Sequence, residues 1–281
     1  DRRQRQMCIR DRSVTALSKR YRASRSLFRS HEVIAVEQAS FGVAENEFVG
    51  LVGESGSGKS TVARLIVGLE RPSSGRIELG GVDVAVQSEK ARLQRLAHVQ
   101  MVFQDPQSAL NPCRRVASIV TQVLEAAAPG MASSERSARA GLLLAEVGLS
   151  AELASRYPSQ LSGGQKQRVN IARALCATPK LLLADEIVSG LDMSVQAQLI
   201  ALLRRLRQEL SFAMLFISHD LAVVRNLCDR VLVMRAGTIV ETGETSELFA
   251  APRHPYTRML IAAVPPDDPA VVWKPVTASG E

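Results

Sequence analysis

Residues 53–61 read Gly53-Glu54-Ser55-Gly56-Ser57-Gly58-Lys59-Ser60-Thr61, three glycines closing on a lysine and two hydroxyls. Backbone N–H groups converge on phosphate oxygens only where no Cβ intervenes, which is the use of Gly53, Gly56 and Gly58. A helix beginning at Lys59 adds the positive end of its dipole to the same anion. In this spacing Lys59 reaches the β- and γ-phosphates of a nucleotide, Ser60 ligates Mg²⁺ and Thr61 hydrogen-bonds the α-phosphate. The plain alternative is a glycine turn capping an ordinary helix. It is disfavoured because an apolar run ending in Val52 precedes the loop and a helical pattern over residues 59–69 follows it, the context the motif requires.

Two carboxylates stand where such a nucleotide needs them. Leu181-Leu-Leu-Ala184 is a buried-strand pattern that ends in Asp185 and Glu186, and open α/β sheets bind ligands at the carboxyl ends of their strands. Asp185 is expected to hold the Mg²⁺ water shell, and Glu186 to orient and deprotonate an attacking water. Alone, adjacent acids at a strand end are as often solvated or helix-capping; the glycine loop upstream shifts the balance. Ser162-Gly163-Gly164-Gln165, after Leu161, opens a second helix and makes a second phosphate cradle at a helix N-terminus.

That five-residue block resembles the signature motif of ATP-binding cassette (ABC) proteins. The resemblance covers roughly residues 13–266 and implies that the second cradle caps the ATP of a partner subunit, two cassettes sandwiching two nucleotides head to tail. Further positions follow the family order. Gln104 resembles the Q-loop glutamine, which contacts Mg²⁺ and the attacking water and links a helical lobe to the core. Ser189-Gly-Leu-Asp192 resembles the D-loop, with Gly190 where Ala is usual, and His219 resembles the switch histidine that contacts the γ-phosphate. A lone His is more often a satisfied core residue; this one follows an apolar strand in the expected place. Tyr21 is the candidate for stacking on adenine, with Phe28 as its rival. Residues 104–112, Tyr157-Pro158, residues 194–198 and His254-Pro-Tyr-Thr257 look like the ATPases of dipeptide, oligopeptide and nickel importers. Asp185-Glu-Ile-Val-Ser189 is nearer to the second, F-type ATPase of such pairs than to the first.

The elements that position these residues alternate. Apolar strand patterns at 47–53, 98–103, 180–185, 213–218 and 230–235, with helices at 59–69, 194–210 and 220–228, predict a mainly parallel sheet covered by helices. Short alternating runs over 13–48 predict antiparallel strands. Residues 113–157 are rich in Ala, Leu, Glu and Arg at helical spacing, broken at Pro129-Gly130. The expected fold is therefore α/β, a P-loop NTPase core of ABC type with an N-terminal antiparallel β subdomain and an inserted α-helical subdomain over about 105–178. The ATPase domain is expected over 13–250, with a C-terminal extension and tail of oligopeptide-transporter type over 251–281.

No stretch approaches the ~20 apolar residues of a membrane span, and the basic N-terminus has no apolar signal core. Cys8, Cys113, Cys176 and Cys228 form no CxxC pair, against zinc or an iron–sulfur cluster, and are expected to be buried apolar thiols. The net charge of +7 is concentrated in residues 1–30, which carry +8 and leave the body near neutral. A nucleic-acid partner is therefore not expected; the basic run is a solvated face or faces anionic lipid. Residues 1–12 show no period and resemble translated adapter sequence joined to a truncated gene. A non-native or disordered leader is expected there, with an intact sequence starting upstream as the alternative.

The combined expectation is an ATP-hydrolysing subunit that powers import of peptides, or a related solute such as nickel. It would lie peripherally at the cytoplasmic face of the membrane with ATP and Mg²⁺. The resemblance implies a sister or identical cassette, two transmembrane permeases and, indirectly, an extracytoplasmic solute-binding protein. The alternative is a soluble ABC ATPase of a non-transport complex such as a carbon–phosphorus lyase. A ribosome-acting cassette is disfavoured because the helical lobe is too short for a coiled-coil insertion, and an exporter because such cassettes are often fused to their membrane domain.

Overall fold

The computed structural model describes residues 12–24, 30–85, 88, 92, 95 and 98–264. Among the described residues ten strands run β1 Arg12–Ser24, β2 Ser30–Gly42, β3 Phe48–Val52, β4 Ser74–Leu79, β5 Val82–Asp83, β6 Val99–Val102, β7 Leu181–Asp185, β8 Ala213–Ile217, β9 Arg230–Arg235 and β10 Thr238–Glu244. The helices used below are α1 Lys59–Val67, α2 Pro106–Ala109, α3 Val116–Val120, α4 Gln122–Ala127, α5 Ser133–Glu146, α6 Gly163–Leu175, α7 Met193–Leu210, α8 Leu221–Leu227, α9 Thr245–Ala250 and α10 Pro255–Ala262.

The larger sheet has the order β10-β9-β3-β8-β7-β6, parallel from β9 to β6. Its central strands are short and apolar throughout, because both faces are covered. Alternate residues enter two cores: Phe48, Leu182, Ala184, Met214 and Phe216 on one face, Val49, Leu51, Leu183, Leu215 and Ile217 on the other. The first core takes α6, α7 and α8; the second takes α1 and the smaller sheet. Helices α2 to α6 lie between β6 and β7 in the chain, as the inserted helical lobe predicts.

The smaller sheet is antiparallel, in the order β2-β1-β4-β5. Residues 13–48 were expected as short strands; β1 and β2 are each 13 residues long. The shifts that disguise them lie near Ala16 and Gln38, whose φ values of 48° and 47° break the pairing register. A bulge of this kind interrupts the period of two without ending the strand.

Three sequence expectations change. β10 was not anticipated; it returns antiparallel to β9 through Ala236-Gly237, with φ values of 47° and 87°. Cys113 is exposed, in the turn after Asn111, whereas Cys176 and Cys228 are buried thiols; Cys8 and Phe28 lie outside the described residues. Arg12, assigned to the leader, is the first residue of β1 and is 8% exposed. Its guanidinium donates to Val43 O at 3.4 Å and to Lys180 O at 3.1 Å, tying the smaller sheet to the start of β7; the rest of the leader lies outside the described residues. Arg12→Ala removes both bonds, leaving Lys180 O to Ala213 N alone and Val43 O without this donor, and is expected to cost about 1–3 kcal/mol in urea unfolding. An unchanged midpoint would show that water replaces the guanidinium there.

Candidate functional site

Four adjacent parallel strands end at one edge of the larger sheet, so topology gathers what sequence scatters. β3 runs into the glycine loop, β8 into Ser218-His219, β7 ends in Asp185-Glu186, and β6 leads to Gln104.

The glycine loop is held by close backbone approach. A Cβ on Gly53 would lie 2.1 Å from Met234 O, and one on Gly58, where φ is +106°, would lie 2.2 Å from Ala35 O. Gly237 N donates to Ser57 O at 3.0 Å, so the β9–β10 turn supports the loop from below. Gly56, with φ +79°, faces open space, as do the exposed Glu54 and Ser55 beside it. Val62 N donates to Gly58 O as the first turn of α1 closes. That leaves the N–H groups of Lys59, Ser60 and Thr61 without helical partners, and no acid in that turn competes for them. These donors fit an anion.

Lys59 is 4% exposed. Its Nζ donates to Gly53 O and Glu54 O, each at 2.8 Å, and lies 3.4 Å from Ser57 Oγ. Burial pulls its pKa down, while the charges of Glu186, Asp185 and Glu54 push it up. Ser60 Oγ donates to Asp185 Oδ1 at 3.0 Å. A hydroxyl and a buried carboxylate beside a phosphate cradle are a donor set suited to Mg²⁺, which keeps waters and takes few protein ligands. Among the described residues no group of three or more His, Cys, Asp or Glu is placed to hold a metal.

Glu186 has both carboxylate oxygens engaged. Oε2 accepts from Gln104 Nε2 at 3.0 Å, and Oε1 lies 3.5 Å from His219 Nδ1. Gln104 Nε2 also lies 3.4 Å from Ser189 Oγ. The side chain of Glu186 is 20% exposed and that of His219 61%, so the pair opens to solvent on the histidine side. The backbone of Glu186 takes φ +48°, and its N–H donates to Ile217 O, which turns the carboxylate away from the line of β7.

The remaining predicted residues are placed differently. Ser162 caps α6, its Oγ accepting from Gln165 N while Gln165 Oε1 accepts from Ser162 N. Among the described residues no hydrogen bond joins this cap to the glycine loop of the same chain. Asp192 caps α7, accepting from Ser194 N and Val195 N. Tyr21 donates its hydroxyl to Glu70, and the Lys19 ammonium covers its ring at 4.9 Å from the centroid. Glu70 also pairs with Arg64 of α1 at 3.7 Å, which places the Tyr21 hydroxyl near that helix.

Three polar residues on α6 escaped the sequence reading. Gln167 Nε2 donates to Ile187 O at 3.0 Å, Asn170 Nδ2 to Phe103 O at 3.5 Å, and Arg173 to Ala109 O at 2.6 Å. They bolt the lobe to the segments on either side of Gln104 and to the residue after Glu186. Their signal was polar types on a helix face that the period assigns to the core.

A buried phosphate cradle with paired acids on a parallel α/β sheet defines a P-loop nucleotide-binding ATPase. The family model for ABC transporters matches residues 36–189, and that for the C-terminal region of oligopeptide/dipeptide transporters matches residues 240–277. The chain is 48% identical over 271 residues to the probable peptide ABC transporter ATP-binding protein y4tS of Sinorhizobium fredii, covering 95% of this chain and 76% of that protein. It is 44% identical over 257 residues to the putative peptide import ATP-binding protein BOV_A0347 of Brucella ovis, covering 92% and 79%. The dimeric post-hydrolysis structure of the ATP-binding cassette MJ0796 bound to ADP and Pi superposes with a TM-score of 0.74 at 28% identity, covering 83% of this chain and 98% of that one. The chain belongs to the ABC transporter family of ATPases.

Burial holds the Asp185 carboxyl above the ordinary carboxylate range, against the Ser60 hydrogen bond that lowers it. A carboxyl raised on folding stabilises the fold only while protonated. That contribution is full below the unfolded pKa of about 3.9 and is lost as pH rises through the folded value. Asp185→Asn keeps an acceptor for Ser60 and removes the charge. In EDTA at neutral pH it is expected to raise the urea midpoint, with the gain shrinking as pH falls through the raised pKa. A lowered midpoint would mean that Lys59 and Ser60 outweigh desolvation.

Proposed function

We propose that this chain is the ATP-hydrolysing subunit of a peptide importer, docked peripherally on its permeases at the cytoplasmic face of the membrane. The observation that carries the transport half is the match of residues 240–277 to the C-terminal region of oligopeptide and dipeptide transporters, joined to the cassette in one chain. The relatives' names, peptide transport and peptide import, point the same way. Among the described residues no helix is long and apolar enough to cross a membrane; the reading assigns the pore to separate permeases. The proposed division places the ATPase domain over 13–250, with the helical lobe inside it, and the extension after it.

The chemistry follows from the chain's own groups. Lys59 and the N–H groups of residues 56–61 neutralise and orient the triphosphate. Glu186 takes the proton of the attacking water, held in register by the Gln104 amide, while His219 faces the transferring phosphoryl group across the same carboxylate. Mg²⁺, held by Ser60 and Asp185, would supply a Lewis acid at the phosphates. The cap at Ser162–Gln165 uses the N–H groups of its two ends and leaves those of Gly163 and Gly164 for an anion, and a second cassette placed head to tail would bring it to this chain's nucleotide. The dimeric state of MJ0796 supports that geometry. Tyr21 would lie on the adenine side and Asp192 at the partner face. The nearest reading of residues 185–189 makes the partner a sister subunit of the first type.

Glu186→Gln keeps the Gln104 contact but cannot accept a proton. It is expected to bind ATP as the parent does and to lose turnover by about 100-fold or more in a phosphate-release assay. Near-normal hydrolysis would discard the general-base role. Affinity purification of the chain from detergent-solubilised cells is expected to recover two multi-span permeases and a sister ATPase by mass spectrometry. Recovery with soluble enzymes alone would sink the transport reading while leaving the ATPase.

A further inference from the structure

The C-terminal segment touches the nucleotide loop directly. Glu54, second residue of the glycine loop, donates its backbone N–H to the Tyr256 hydroxyl at 2.9 Å. Tyr256 comes 202 positions later in the chain, on the first turn of α10, and is 2% exposed. Its ring is fixed on several sides. The Arg235 guanidinium at the end of β9 lies 4.9 Å from the ring centroid, and the ring belongs to the core that also receives Leu260, Ile261 and Val264.

The backbone that presents this tyrosine is equally constrained. His254 caps α10 through Nδ1, which accepts from Tyr256 N at 3.1 Å. The Glu241 carboxylate on β10 accepts from Arg253 N at 2.8 Å and from His254 N at 2.9 Å. Thus β10 holds residues 253–254, these aim Tyr256, and Tyr256 reaches the loop.

The opposite side of the same loop residue is held by Lys59, through Glu54 O and Gly53 O. Lys59 must serve both loop and anion; Tyr256 serves the loop alone. An anion cradle binds better when its N–H groups are aligned beforehand, since ordering them on binding costs affinity.

We infer that Tyr256 is a positioning residue for the phosphate loop, through which the C-terminal extension sets the affinity of the cassette for nucleotide. It touches no reacting atom and acts through Glu54. The inference rests on the reading of residues 53–61 as the nucleotide site, and the experiment separates the two.

Tyr256→Phe retains the ring and removes the acceptor for one partly buried N–H. In the full chain with its copurified partners, Mg-ADP affinity is expected to weaken about three- to tenfold. The KM for ATP should rise in parallel while kcat stays within about twofold, the pattern of lost uniform binding. Glu241→Ala frees the 253–254 backbone without touching ring or loop and is expected to raise KM in the same direction. Unchanged KM and affinity in both variants, with the parent binding normally, would overturn the inference and leave the ATPase reading standing. Absence of nucleotide binding by the parent would overturn both.

Discussion

A buried ammonium is the constraint on which the site depends. Lys59 at 4% exposure has to be compensated, because an unpaired charge in the interior costs several kcal/mol. The compensation comes from two loop carbonyls and from the charges of Glu186, Asp185 and Glu54. The carbonyls require the loop to fold back over its own lysine, and that turn needs glycine at 53 and 58. The carboxylates require β7 to end beside β3 with only β8 between them. Sheet order, loop glycines and acid pair are thus one solution to one electrostatic demand, and the same cation is what a triphosphate needs.

The acids meet that demand unequally. Asp185 is buried and held by Ser60, with its carboxyl raised by desolvation against the opposing pull of Ser60, Arg64 and Lys59. Glu186 is more exposed and is engaged by side chains from two other elements, Gln104 and His219. One carboxylate is buried on a single hydroxyl and its neighbour is shared between two side chains. The difference between these adjacent residues accompanies the positive φ at Glu186, a strained conformation of the sort that collects at functional sites.

Around this centre the chain supplies mechanical ties from both sides. Gln167, Asn170 and Arg173 on α6 fasten the helical lobe to the backbone beside Glu186 and Gln104, so the cap at Ser162 is connected to the segments that carry those two side chains. Tyr256 and Gly237 hold the glycine loop from the side of β9, β10 and α10.

Much of this was legible in the sequence because it depends on local chemistry. The glycine loop, the apolar strand ending in two acids, the helix-opening Ser162-Gly-Gly-Gln165 and the period of the strands are short-range signals, and the α/β class with its helical insertion follows from their order. Only the tertiary structure decided what depends on long-range approach. The lengths of β1 and β2 were hidden by bulges at Ala16 and Gln38, β10 by a strand half-exposed along its length, and the exposure of Cys113 by a turn that composition does not report. Arg12 gained its place from carbonyls 31 and 168 residues away. His254-Pro-Tyr-Thr257 stood out as a pattern, yet that its tyrosine touches the phosphate loop required folding across 202 residues. Sequence fixes what each group can do; which groups meet is set by the packing of distant segments, and no local period encodes that.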